Sequence, residues 1–188
     1  MIYSARPAVD AAYRVIAVQY VDHEQPDWAM TFADALIELG EARSWASVWW
    51  AYGAVHYDLS DESLERALEL LPSVDASPAA TAAALMLQAE ISMTDAIHRD
   101  RDPDHDEQHA LLARAVKLAP EWPELHLRLA RAAVAVGDDA GAARHARLVR
   151  ELYRRHPPSN DPFDVAFTGL GLLRENVLTE LTRLGLPE

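Results

Sequence analysis

Apolar residues recur at every third or fourth position along almost the whole chain, and no alternating run of β-branched residues stands between hairpin turns. Only a helical period places such positions on one face, so the pattern predicts an all-α fold. Punctuation divides it into nine helices. Pro7 opens the first, to about Tyr20, with Val9, Tyr13, Ile16 and Tyr20 on one stripe. Asp27 caps the second, which ends at Gly40, and a third runs from about Ala42 to Tyr57. Ser60 and Asp61 start a short fourth that stops at Pro72, and Ser77 with Pro78 starts a long fifth through Ala83, Leu87, Ile91 and Ile97. An Asp-rich connection, 99–107, leads to a sixth helix carrying Leu112, Ala115 and Leu118. Pro123 opens the seventh and Gly137 ends it; the eighth runs from Asp139 to about Arg155; Asp161 and Pro162 start a ninth that ends near Gly185. Short connections make successive helices antiparallel, which suits a single domain over residues 1–188.

Composition narrows the function. Half of the 188 residues are hydrophobic, enough for a core without covalent staples. The lack of Cys excludes disulfides, cysteine nucleophiles and thiolate metal sites, and removes any reason to expect an oxidising compartment. Thirty acidic side chains against 17 basic, a net charge of −13, argue against a phosphate backbone as the main ligand. No stretch reaches the roughly 20 apolar residues of a membrane span, and residues Met1 to Pro7 do not read as a signal peptide. The expected address is the cytoplasm, with neither membrane nor nucleic acid as partner. All the basic residues but Lys117 are Arg, and Ala is abundant, a bias that points to a high-GC bacterial genome.

Self-similarity appears where helix pairs end. Ala115, Val116, Lys117, Leu118, Ala119 and Pro120 follow the form Ala, aliphatic, charged, Leu, any residue, Pro; Ala67, Leu68, Glu69, Leu70, Leu71 and Pro72 repeat it. After Pro120, the stretch Glu124 to Leu152 resembles a tetratricopeptide repeat. Leu129 and Ala130 stand in its first helix, Gly137 and Asp138 at its turn and Ala142 in its second helix. The departures are that His126 and Ala133 replace the family's Trp and Tyr, Arg154 stands at the closing Pro, and 48 residues rather than 34 separate Ala67 from Ala115. The resemblance implies antiparallel helical hairpins stacked as a short right-handed solenoid. N-terminal helices would occupy 1–40, repeats 41–155 with the Asp-rich insertion at 99–107, and a capping helix 161–185.

The third helix holds Trp45, Trp49, Tyr52 and His56 at spacings of four, three and four, along one stripe, beside an apolar stripe of Val48, Ala51 and Val55. In the repeat register the resemblance places Trp45, Trp49 and Tyr52 at concave, ligand-facing positions, where they would anchor a peptide. The alternative is that they are core. Arg131, with Arg128, would fix polar groups of the ligand; the carboxylate clamp of the family's chaperone-tail binders is otherwise missing, because Trp45, Trp49 and Leu127 stand where cations are needed.

Charge is uneven. Pro123 to His156 holds seven Arg against four acidic residues, and Arg144, Arg147, Arg150, Arg154 and Arg155 make the eighth helix a candidate patch for an acidic partner or a neighbouring subunit. The alternative is a solvated helix whose cations complement its dipole. Asp102, Asp104 and Asp106 imitate a calcium loop, yet Glu107 replaces its glycine and Ala113 its closing Glu, and no HExxH motif accompanies His98, His105 and His109. Neither metal nor cofactor is expected. Without a nucleophile elbow, phosphate loop or dinucleotide fingerprint, the favoured function is a non-catalytic adaptor for a protein or peptide. The alternatives are a small helical enzyme using His56, His98 and nearby acids, and a self-assembling protein whose last helix, through Phe163, Phe167, Leu170 and Val177, pairs with a second copy.

Overall fold

The computed structural model describes residues 16, 26–38, 43–71, 77–156, 159, 164–168 and 174–186. Among these the regular structure is entirely helical: α1 (Pro26–Glu38), α2 (Arg43–Gly53), a π-helical turn (Ala54–Asp58), α3 (Asp61–Leu70), α4 (Pro78–His98), α5 (His105–Leu118), α6 (Pro123–Ala135), α7 (Asp139–Arg155), a second π-helical turn (Asp164–Thr168) and α8 (Arg174–Arg183). Ile16 is helical and buried; the rest of the expected first helix, and residues 161–163 and 169–173 of the expected ninth, lie outside the described residues. The chain forms two compact units, 1–103 and 104–188, divided within the Asp-rich segment.

Caps at Ser60, Ser77 and Asp138 place helix starts where the sequence predicts. Asp104 instead starts α5 at His105, inside the expected connection 99–107, and Asp27, expected as a cap, lies in the first turn of a helix that begins at Pro26. The hydroxyls of Ser60 and Ser77 accept from the N–H groups of Ser63 and Ala80, and the carboxylates of Asp104 and Asp138 accept from Glu107 and Gly141, each three residues on. Gly141 makes room for this, since a Cβ there would lie 2.1 Å from Oδ2 of Asp138. Three helices end alike. Asp100, Gly137 and Gly185 adopt left-handed φ of 51°, 77° and 70°. The following N–H then reaches back five residues, from Arg101 to Ala96, Asp138 to Ala133 and Leu186 to Leu181.

In the first unit α2 is the hub, packing on α1, α3 and α4. Every residue from 45 to 51 is buried, so this helix is covered on all sides. α4 contributes a run of small and aliphatic residues, Ala79 to Leu87, whose alanines admit neighbours closely. Ile97, expected on that apolar stripe, is instead 63% exposed at the end of the helix. α2 reaches its expected end near Tyr57, but in a different form. After Gly53 it widens into the π turn and closes on Leu59, a left-handed residue whose N–H bonds the Ala54 carbonyl.

In the second unit each helix packs on its neighbour in sequence: α5 on α6, α6 on α7 and α7 on α8. The seam of the α6–α7 hairpin is small-sided, with Ala130 and Ala133 against Ala142 and Ala146, and the cluster continues through Val149 to Val177 and Leu181 of α8. Alanine at these positions lets two backbones approach without loss of helix propensity.

Candidate functional site

The aromatic stripe begins in the interior. Trp45 and Trp49 are 4% and 1% exposed, and with α2 enclosed they have no face to offer a groove. For these two residues the core alternative is the one realised. Tyr52 is half-buried, its ring edge-on to Trp49 at 5.6 Å and tilted against His56 at 4.3 Å. His56 reaches the surface, with Nε2 3.9 Å from the Glu90 carboxylate of α4, and Tyr57 follows in the π turn at 41% exposure. Tyr52 and His56 are thus the members of the stripe that meet solvent.

Arg128 and Arg131 belong to the second unit. Nε of Arg128 donates to Glu124 at 2.7 Å, one turn earlier on α6, and Arg131 lies 3.2 Å from Glu180 of α8. Both cations are engaged by carboxylates of their own unit. They fall in a different unit from the aromatic stripe.

The cationic patch is placed more openly. Arg144, Arg147, Arg154 and Arg155 are exposed, whereas Ala142, His145, Ala146, Val149, Leu152 and Tyr153 of the same helix are buried. Spacings of three, seven and one residues keep the four arginines on one side, over about 16 Å at 1.5 Å per residue. Arg155 pairs with Glu151. For Arg144, Arg147 and Arg154 there is no carboxylate within 4.0 Å among the described residues, although Arg66, Arg99, Arg101, Arg128 and Arg131 each have one. Arg150, which the sequence groups with the patch, turns inward and donates to the Leu186 carbonyl at 2.7 Å.

Sequence reading missed a buried pair between α6 and α7. His126 and His145 are 3% and 9% exposed, and their rings stack at 5.2 Å with the two Nδ1 atoms 2.9 Å apart. Nε2 of His126 lies 2.8 Å from the Pro120 carbonyl. A carbonyl only accepts, so Nε2 carries a proton; in the neutral ring Nδ1 is then bare and accepts from Nδ1–H of His145. Burial pushes both imidazoles below their ordinary range. For His126 the Pro120 carbonyl and Glu121 oppose this. His145 is pushed down to about 4 by burial, then by His126, Arg144 and His109, against Asp138. Beside the seam, burial and the Glu124 charge raise the Tyr153 phenol, which stays neutral. The only signal available beforehand was that His126 and His145 occupy facing positions of a predicted hairpin.

Among the described residues no three His, Asp or Glu side chains converge as a metal-holding group, and no helix is long and apolar enough to cross a membrane. No family model matches the chain, and no curated protein or solved structure matches it either.

Proposed function

We propose that the chain is a tetratricopeptide-like interaction module that binds an acidic segment of a partner protein through the arginine row of α7. The observation that carries this reading is the state of Arg144, Arg147 and Arg154. In a chain with 30 acidic side chains against 17 basic, carboxylates accompany Arg66, Arg99, Arg101, Arg128, Arg131 and Arg155, while these three face solvent in line on one helix. A guanidinium fork matches a carboxylate with two parallel hydrogen bonds, and a row of three orients an extended or helical acidic segment along α7. The acidic body disfavours a long polyanion such as DNA but leaves room for a short segment. The repeat reading draws support from the α6–α7 hairpin, whose turn, Gly and alanine seam suit stacked helical pairs.

Fluorescence anisotropy with a labelled twelve-residue Glu-rich peptide tests the reading. The full chain should bind it with an affinity that falls as salt rises, and the Arg144→Glu, Arg147→Glu, Arg154→Glu triple variant should bind at least tenfold more weakly. A single-stranded oligonucleotide of equal charge serves as comparison. Absence of peptide binding, equal binding by the variant, or tighter binding of the oligonucleotide would each refute the proposal. A salt-dependent dimer lost in the same variant would identify a second copy of the chain as the acidic partner.

A further inference from the structure

The His126–His145 contact has a stoichiometry built into its geometry. With no added proton, one N–H···N bond joins α6 to α7. The first added proton has a place to go: Nε2 of His145 takes it, and the cationic ring still donates through Nδ1 to the bare Nδ1 of His126. The second has none. His126 already commits Nε2–H to Pro120, so a further proton must enter at its Nδ1. Two N–H groups would then point at one another across 2.9 Å, on two buried cations.

We infer that this pair is an acid-sensitive latch, which ties α6 to α7 while it holds at most one added proton and releases the hairpin when the second arrives. The surroundings supply little to hold two positive charges. α5 contributes His109 and α7 contributes Arg144, both of which disfavour a proton on His145. The favourable charges are Glu121, before α6, and Asp138 at the start of α7, whose carboxylate is occupied by capping Gly141. Glu124, two residues along α6 from His126, is tied to Arg128, and Glu180 of α8 to Arg131. In the turn that packs on α6, Asp164 accepts from the Thr168 hydroxyl. An acid-opened seam would expose Ala130, Ala133, Ala142 and Ala146 and displace the helix bearing the arginine row.

Hydrogen-exchange mass spectrometry on the full chain at pH 7.5 and 5.0, corrected for intrinsic exchange, tests the latch. Proton uptake by the pair should raise opening of segment 123–155 at least tenfold at pH 5.0, with less change in 78–98. His145→Asn keeps a donor at the Nδ1 position without titrating, and should reduce the change to less than threefold. His109→Gln should leave it in place. An equal pH effect in both segments, or an unreduced effect in His145→Asn, would overturn the inference. If that variant does not fold, the imidazole Cε1 resonances of the wild type decide. Two midpoints near 6.5 for His126 and His145, with α6 and α7 amide shifts unchanged, would refute the latch; depressed midpoints, the lower coinciding with loss of those amide signals, would support it.

Discussion

Replacing Trp49 by Ala separates an interior tryptophan from a ligand anchor. Trp49 is 1% exposed, stands among the largest fully buried side chains and belongs to a helix enclosed over residues 45–51. Truncation would remove its apolar surface and its edge contact with Tyr52, leaving a cavity that α1, α3 and α4 can close only in part. Core replacements of this kind cost about 3–5 kcal/mol, out of a total of about 5–15 kcal/mol for a domain. For a unit of this size that corresponds to a fall in Tm of about 12–40 °C, at 4–8 °C per kcal/mol. Urea unfolding followed by circular dichroism at 222 nm measures the loss directly. Tyr57→Ala, at a 41% exposed position of the same helical run, is the control and should change stability by about 0.5 kcal/mol or less. A loss below about 1 kcal/mol for Trp49→Ala, with the fold intact, would refute the packing described here and return Trp49 to the surface.

Further outcomes follow from the backbone and the histidine pair. Gly137→Ala should cost about 1 kcal/mol in urea unfolding, because its φ of 77° penalises any Cβ although nothing lies within 4 Å of the added atom. Asp100→Gly should raise stability by up to about 1 kcal/mol, since Asp100 holds a left-handed φ of 51° as a residue with a Cβ. His145 is depressed from 6.5 to about 4, so the unfolded chain binds its proton first as pH falls. Its contribution of about 3 kcal/mol is therefore complete above pH 6.5 and lost progressively down to about pH 4. Unfolding midpoints measured at intervals across that window should decline more steeply for the wild type than for His145→Asn.

Helix starts and stops were legible because their chemistry is local. Ser77 and Pro78, Pro123, and Gly137 act within four residues of themselves, and each marks a boundary in the structure. What covers a face was not legible. Periodicity shows that Trp45, Trp49 and Tyr52 share a stripe, but burial of Trp45 and Trp49 depends on neighbouring helices that approach from every side. The arginine patch was legible as a cluster, whereas the inward turn of Arg150 depends on Leu186, 36 residues away. The His126–His145 pair lies between these cases. It required the register of two helices in space, which a turn of known length suggests and only packing decides.

Neighbour-on-neighbour packing in the second unit has a kinetic consequence. When each helix rests on the next one along the chain, native contacts join residues that are close in sequence, and such low contact order favours folding in microseconds to milliseconds. The α6–α7 hairpin, with its short turn and alanine seam, is the smallest piece that buries a shared face, so it is the natural nucleus. Docking of the Leu186 carbonyl on Arg150 closes a loop between residues 36 positions apart, and the added loop-closure entropy places it late. The arginine row and the histidine pair would then be assembled before the last helix settles.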